Sequence, residues 1–219
     1  MAGNVDGLRI LDFGCGDATF LVMLLEAGAK PALAVGAEID PRVITDNHSR
    51  LGNRPLLKFI HQDDLNAPDQ AGSYDFIVCM EVCEHLYNQD VVLDLFVKLL
   101  RPGGRAMISV PVETGPTILV KQTARRIAGW RGIGDYKFNA RYSIGELAKS
   151  VFAGEEQHIE RPVHRHLDGT RFHDHKGFNW RALQKKIKAR FELLELKTSP
   201  LGALPPGLNS QVWFIARKR

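Results

Sequence analysis

A short stretch near the N-terminus places one carboxylate beside two glycines. Asp12 lies two residues before Gly14, and Cys15 separates that glycine from Gly16. An apolar run precedes this stretch and a helical pattern follows it at 18–27, so the sequence predicts a strand, a tight turn and a helix N-terminus. Backbone N–H groups at such a turn point towards an anionic ligand group. A carboxylate at Asp12 would repel a pyrophosphate, so the pattern favours a ligand that also carries a positive charge.

S-adenosylmethionine carries both charges. Its carboxylate can approach the turn amides, while its ammonium group is held near Asp12 directly or through water. The stretch Asp12-Phe13-Gly14-Cys15-Gly16 resembles motif I of the class I S-adenosylmethionine-dependent methyltransferases, and the resemblance continues to about residue 112. It implies S-adenosylmethionine as cofactor. The implied fold is α/β: a doubly wound, Rossmann-like sheet of seven strands with helices on both faces and an antiparallel last strand.

The second predicted strand ends at two acids that could hold the ribose. Glu38 follows the glycine turn by about twenty residues, the distance at which an acid grips a ribose diol in nucleotide-binding folds. Asp40 precedes Pro41, which predicts that Asp40 caps the helix running to Arg50. Glu38 is therefore assigned to the ribose. The resemblance implies that the next residue, Ile39, contacts the adenine.

The third predicted strand is followed by a second acidic pair. In the family an acid here receives the adenine amino group and a neighbouring backbone N–H reaches a ring nitrogen. This implies Asp63 for the side-chain contact, with Asp64 and Leu65 beside it. The alternative for Asp63 is a turn residue bonded to its own backbone. Cys79, near the end of the fourth predicted strand, completes the predicted cofactor-binding residues.

The stretch after the fourth predicted strand carries the candidate catalytic groups. Glu81, Glu84 and His85 stand at i, i+3 and i+4, so they would share a face if the segment is helical. In doubly wound sheets the reacting groups gather beyond the carboxyl ends of the strands. The Glu-x-x-Glu-His pattern resembles that of quinone-biosynthesis O-methyltransferases and of small-RNA 3′-terminal 2′-O-methyltransferases, and in the RNA enzymes it implies a divalent metal held with a later histidine.

Three interpretations of this stretch stay open. Glu81 and His85 could act as base or contact the acceptor, the three side chains could hold a metal, or they could form a helix cap and an ion pair. The first is taken as the prediction, and no metal is assigned.

About eighty residues separate the fifth predicted strand from the next, although a crossover needs only a dozen or so. Such a length predicts a cap inserted after strand five, at 113–176, within a single domain 1–219 whose core is 8–112 and 177–217. The stretch 116–130 has the composition of a basic amphipathic helix. It predicts either a lid with its cations in water or a peripheral contact with a membrane surface.

Positive charge is concentrated in one part of the chain. Residues 113–190 contain sixteen Lys and Arg against eight Asp and Glu, whereas the whole chain has a formal charge of +4. Five histidines lie between 157 and 175, but their spacing matches no compact zinc motif and no cysteine accompanies them. Arg161, Arg165 and Arg171 suit recognition of phosphate or carboxylate. His173, next to an aspartate, is the candidate base among the histidines.

Composition limits the remaining classes. The 219 residues, 44% of them hydrophobic, fit one domain with one core. No apolar run approaches the roughly twenty residues of a membrane span, and the N-terminus lacks a signal-peptide layout, so a soluble cytoplasmic protein is expected. The three cysteines are expected to be reduced thiols.

The sequence therefore predicts a methyltransferase that uses S-adenosylmethionine and acts on a small acidic or phosphorylated acceptor, with O-methylation favoured. The sulfonium makes the methyl group electrophilic already, so the protein mainly aligns the acceptor and removes its proton. Two alternatives remain: metal-dependent 2′-O-methylation of an RNA 3′ end, which no separate RNA-binding domain accompanies, and a cofactor-binding interaction module without turnover.

Overall fold

The central strands of the sheet are short apolar segments, and most of their residues are buried. A computed structural model describes residues 5–132, 142–165 and 169–219. Its strands are β1 (Arg9–Phe13), β2 (Leu33–Glu38), β3 (Leu57–His61), β4 (Tyr74–Met80), β5 (Leu100–Pro111), β6 (Val163–Arg165), β7 (Arg171–His173), β8 (Phe191–Ser199) and β9 (Gln211–Lys218). Seven of them form one sheet in the order β3-β2-β1-β4-β5-β9-β8, and β6 and β7 form a separate hairpin.

The strand directions confirm the predicted sheet. Strands β1 to β5 pair in parallel, whereas β9 runs antiparallel to both β5 and β8. The chain moves outward from β1 to β2 and β3, then returns to place β4 on the other side of β1. The order therefore reverses between β1 and β4, and ligands bind beyond the strand ends at such a reversal.

The described residues contain six α-helices. They are α1 (Thr19–Glu26), α2 (Pro41–Leu51), α3 (Gln89–Leu99), α4 (Thr117–Trp130), α5 (Ile144–Val151) and α6 (Trp180–Arg190). A side-chain cap begins four of them, α2, α3, α5 and α6. The Asp40 carboxylate accepts a hydrogen bond from the Arg42 backbone N–H at 2.9 Å, which confirms Asp40 as the cap of α2. Under the end of β1, the rings of Phe13 and Phe96 pack edge to face at 5.1 Å and fix α3 against the sheet.

The segment between β5 and α6 contains helices, as predicted, but also the β6–β7 hairpin, which the sequence did not predict. Its strands have three residues each and are rich in Arg and His, so they show neither apolar alternation nor strong β-propensity. An isolated bridge between Leu86 and Phe172 joins the hairpin to the loop after β4. His166, one of the five histidines, lies outside the described residues.

Helix α4 is anchored by a buried carboxylate at the end of β5. Glu113 is fully buried, receives two hydrogen bonds of 2.8 Å from Arg125, and lies 3.2 Å from the Lys121 ammonium group. Removing one partner of such a buried pair leaves an uncompensated charge. The expectation that the cations of this helix face water is therefore wrong for Lys121 and Arg125, because Glu113 draws both inward. The most exposed large apolar residues of this helix are Val120 and Trp130, at 71% and 85%.

In the part of the chain that the structure describes, no helix combines the length and hydrophobicity needed to cross a membrane.

Candidate functional site

The glycine turn after β1 has the conformation that the sequence predicts. Gly14 and Gly16 have φ angles of +72° and +51°, a backbone conformation that residues with a Cβ rarely adopt. The backbone N–H groups of Gly14 and Cys15 both donate to the carbonyl of Ala37 at the end of β2, at 2.8 and 3.2 Å. A Cβ atom on Gly14 would lie 2.5 Å from Cγ2 of Val82. The turn therefore packs directly against the loop that follows β4.

Two carboxylates flank this turn. Asp12 is 2% exposed, and burial, followed by the nearby charge of Glu38, raises its pKa to about 7. Glu38 ends β2 and accepts hydrogen bonds from the backbone N–H groups of Gly16 at 3.0 Å and Ile39 at 2.7 Å. The structure thus brings the predicted cofactor residues of the first two strands together. Their combined charge suits a cationic ligand group and opposes a pyrophosphate.

The acidic pair after β3 divides into two roles. Asp64 accepts a hydrogen bond from the His61 backbone N–H at 3.1 Å and so closes the cap of a short 3₁₀ turn. Asp63 projects outward, with its side chain 88% exposed, while Leu65 is fully buried. A cavity of about 380 Å³ opens beside Asp63, and its lining comes from the end of β1, this turn and α3: Phe13, Gln62, Asp63, Asn66, Val91, Val92, Asp94, Leu95 and Lys98.

The cysteines are reduced and buried. The Sγ atoms of Cys79 and Cys83 lie 3.6 Å apart without a disulfide. Their hydrogen bond, followed by burial, raises the pKa of the Cys79 thiol, and burial raises that of Cys15 to about 12. Both thiols are therefore inert packing groups at neutral pH. The place of Cys79 in the cofactor pocket stays a prediction.

The loop after β4 is a turn and not a helix. Glu81, Glu84 and His85 therefore do not share a helical face, which the spacing predicted only for a helical segment. Glu81 has a φ of +54°, which stops the strand and redirects the chain. Its backbone N–H donates to the carbonyl of Ser109, and its Oε1 accepts from the Ser109 hydroxyl at 3.1 Å. Burial raises the pKa of the Glu81 carboxyl.

Glu84, His85 and His175 nevertheless form a compact cluster, since one ligand atom from each lies within 4.8 Å of the others. Glu84 is fully buried, and neither carboxylate oxygen has a hydrogen-bond partner within the described residues. Burial, then the charge of Glu81, raises the pKa of Glu84 to about 8. Burial also lowers the pKa of His175, whose Nδ1 is likewise buried and has no partner among described groups. These groups could share a proton or hold a divalent cation.

The structure brings His175, and not the predicted base His173, to this cluster. The Nδ1 atom of His173 lies 2.8 Å from the Pro162 carbonyl, and its ring stacks on Tyr87. The neighbouring Asp174 carboxylate contacts His164 instead, at 3.5 Å. The sequence pointed to His175 only through the metal-site interpretation, in which a later histidine joins Glu84 and His85. The turn after β7 decides which histidine reaches the cluster. A catalytic role for His173 stays a prediction.

The cap segment holds the loop after β4 in place. His85 accepts a backbone hydrogen bond from His173 N–H at 2.9 Å, and its ring Nδ1 lies 2.8 Å from the His173 carbonyl. Arg161 donates through Nη2 to the backbone carbonyls of Glu84 and Asp174. Burial lowers the pKa of Arg161 to about 10. Arg161 therefore binds backbone carbonyls, which differs from the predicted recognition of an anion.

Replacing Glu84 with glutamine is expected to change the pH dependence of stability. The ordinary pKa is 4.5 and the folded value is about 8, so the folded chain retains a proton that the unfolded chain has lost between these pH values. Stability therefore falls as pH rises from about 4.5 to 8, by up to about 5 kcal/mol from this group. Urea unfolding at pH 5 and pH 8.5, with EDTA present, should show a smaller fall in the free energy of unfolding for Glu84→Gln.

The control is Glu192→Gln, which removes an exposed partner of Arg217 and should change stability by less than about 1 kcal/mol. An equal fall in wild type and Glu84→Gln would contradict the raised pKa of Glu84.

Comparison with protein families and curated proteins gives consistent findings. A family model described as a methyltransferase domain matches residues 1–153. The ubiquinone biosynthesis O-methyltransferase of Bordetella avium is 30% identical over 109 residues, which cover 50% of this chain and 45% of that protein. The protein of the same name from Cronobacter sakazakii is 32% identical over 110 residues, covering 49% and 44%. The matched part thus spans less than half the length of these curated relatives.

Solved structures share the fold at low identity. An S-adenosylmethionine-dependent methyltransferase from Mesorhizobium loti superposes with a TM-score of 0.58 at 14% identity, covering 98% of this chain and 93% of that one. The N-methyltransferase NodS of Bradyrhizobium japonicum, solved with S-adenosylhomocysteine, gives 0.56 at 15% identity, covering 97% and 79%. At these identities the likeness concerns the fold.

Proposed function

Because the chain belongs to the methyltransferase domain family, we propose that it transfers the methyl group of S-adenosylmethionine to a hydroxyl group of a small acceptor. The observation that carries this proposal is the turn at Gly14 and Gly16, flanked by the carboxylates of Asp12 and Glu38. That turn packs against Val82 of the loop that bears His85, which supports a site where the methyl donor and a base come together.

The chain's own residues would bind and orient the two reactants. The N–H groups of Gly14, Cys15 and Gly16 already donate to Ala37 and Glu38, so the turn holds the end of β2 beside the donor site. Asp12 lies near the ammonium group of the donor, and Glu38 accepts from its ribose hydroxyls. Asp63, at the rim of the cavity beside α3, is assigned to the adenine amino group. Alignment supplies most of the rate because the sulfonium needs no further activation. We assign removal of the hydroxyl proton to His85, and we assign to Glu81 a contact with the methyl-accepting molecule.

An anionic acceptor is favoured by the charge of the cap segment. Residues 113–176 carry eleven basic against eight acidic side chains, and the adjoining helix α6 adds five more basic ones. The named relatives act in ubiquinone biosynthesis by their description, which supports oxygen over nitrogen as the acceptor atom. Peripheral contact with a membrane through α4 is a further proposal, supported by the exposed Val120, Ile127 and Trp130.

Labelling can identify the acceptor. The full chain is incubated with methyl-labelled S-adenosylmethionine and fractionated cell extract, and label is expected in an anion-exchange fraction of small molecules. Asp12→Asn, which removes the buried charge at the turn, should label no fraction. Calorimetry should show binding of S-adenosylhomocysteine and none of NAD. The opposite ligand preference would contradict the proposal, and a cofactor-binding protein that labels nothing would be a module without turnover.

A second candidate is metal-dependent 2′-O-methylation of an RNA 3′ end. The observation that favours it is the cluster of Glu84, His85 and His175, whose ligand atoms lie within 4.8 Å of one another. Label should then enter the RNA fraction, vanish with EDTA and return with Mg²⁺ or Mn²⁺. Labelling of a small molecule that survives chelation would exclude this candidate.

A further inference from the structure

One face of the β6–β7 hairpin carries two arginines directly opposite each other. Arg165 and Arg171 are paired in the antiparallel register, and both are exposed. Directly opposed residues of an antiparallel pair project from the same face, and like charges placed so destabilise the pair. Within 5–132, 142–165 and 169–219, neither guanidinium forms an ion pair with a carboxylate. Among these described residues, the two cations therefore lie together with no carboxylate to neutralise them.

Nearby groups leave this pair available for an anion. The Asp174 carboxylate is already used by His164 and by the backbone N–H of Lys176. Arg161, the other arginine of this part of the chain, is buried and donates to backbone carbonyls. The pair at the hairpin is therefore the accessible part of the cationic set that the sequence singled out.

An aromatic side chain connects the arginine pair to the candidate active site. The Arg171 guanidinium lies 5.3 Å from the centroid of the Tyr87 ring, and Tyr87 also stacks on His173 at 5.7 Å. Tyr87 is two residues beyond His85, and the Leu86–Phe172 bridge fixes this part of the loop to the hairpin. An anion held by the pair would consequently lie beside the loop that bears His85.

We propose that Arg165 and Arg171 bind a phosphoryl group carried by the methyl acceptor. This inference rests on the proposed function and adds the chemical class of the acceptor. Guanidinium groups match phosphate geometry with paired N–H donors, and the three terminal oxygens of a phosphate monoester give two such groups more acceptor sites than the two oxygens of a carboxylate do. A phosphate monoester carries about −1.5 to −2 charges at neutral pH, so it also neutralises both cations.

The test uses inorganic phosphate as the probe and acetate as the comparison anion. Each is titrated into the full chain saturated with S-adenosylhomocysteine, and binding is followed by the ¹⁵N-correlated signals of the arginine Nε–H groups. Wild type should show saturable shifts with phosphate and weaker binding of acetate. The double variant Arg165→Gln/Arg171→Gln should bind phosphate at least about tenfold more weakly, equivalent to ~1.4 kcal/mol.

The matched control is Lys58→Gln/Lys188→Gln, which removes two exposed cations outside the hairpin and should bind phosphate as wild type does. No saturable shift in wild type, or equal phosphate affinity in the double arginine variant, would overturn the inference. S-adenosylhomocysteine affinity, measured separately in all variants, reports on the proposed function and should not change.

Vesicles distinguish the two sources of a phosphoryl group. Co-sedimentation with phosphatidic acid vesicles, but not with phosphatidylcholine vesicles, that depends on both arginines would assign a lipid-linked acceptor. Phosphate binding that depends on the arginines, with no such co-sedimentation, would assign a soluble phosphorylated acceptor.

Discussion

Replacing Gly14 with alanine is expected to weaken S-adenosylhomocysteine binding at least about a hundredfold, equivalent to ~2.7 kcal/mol. The new Cβ would lie 2.5 Å from Cγ2 of Val82, which is a steric clash. The turn or the loop after β4 must move to remove it. The residue would also have to hold a φ of +72°. Both effects displace the turn that positions Asp12 and Glu38 for the cofactor. Calorimetric titration measures the affinity.

Gly72→Ala is the matched control for this variant. Gly72 has a φ of +64°, close to that of Gly14, yet nothing lies within 4 Å of its ideal Cβ position. Both substitutions carry the cost of a left-handed alanine, on the order of 1 kcal/mol. Only Gly14→Ala adds the collision with Val82. Wild-type affinity in both variants would mean that the contact between turn and loop does not shape the cofactor site.

The core of the fold could be predicted because its signals are local. The order of strands and glycines up to residue 112, and the cap formed by Asp40, depend on neighbouring residues and on motifs that a single sequence displays. The antiparallel last strand is implied by the resemblance to the methyltransferase family, and β9 confirms it.

The catalytic side of the site was less predictable because distant residues determine it. The left-handed Glu81 and its contact with Ser109 make the loop a turn, although the i, i+3, i+4 spacing is compatible with a helix. Arg161 donates to the carbonyls of Glu84, far before it in the chain, and of Asp174, after it. Because these partners are distant, composition could not predict that Arg161 is buried. The choice between His173 and His175 depends on how the hairpin docks, and docking leaves no local signal.

The same docking determines which ring nitrogen of His85 can act. A backbone carbonyl only accepts hydrogen bonds, so the 2.8 Å contact with the His173 carbonyl requires a proton on Nδ1. In the neutral ring, Nε2 then carries the lone pair, and it lies 3.8 Å from Oε1 of Glu84. The hairpin therefore orients His85 so that its basic nitrogen faces the cluster. A base or a metal ligand at this position would use the same atom.

Replacing His85 with asparagine is expected to lower kcat for the labelled acceptor by about 10² to 10⁴, the range for loss of a general base. The asparagine amide can take the place of Nδ1–H and donate to the His173 carbonyl, so the hairpin contact is retained while the basic nitrogen is lost. S-adenosylhomocysteine affinity should equal that of wild type. His48→Gln is the control, since its amide can replace Nε2 near the Phe59 carbonyl and it removes a ring outside the cluster.

Chelation separates the two ways in which His85 could act. If Nε2 is the base, wild-type activity survives EDTA, and the activity that remains in His85→Asn is the same with and without EDTA. If Nε2 is a metal ligand, EDTA abolishes wild-type activity and the variant binds the cation more weakly. Wild-type kcat in His85→Asn would contradict both roles. Because the hairpin fixes Nδ1 as the donor, either role requires the cap segment to be docked before the acceptor can react.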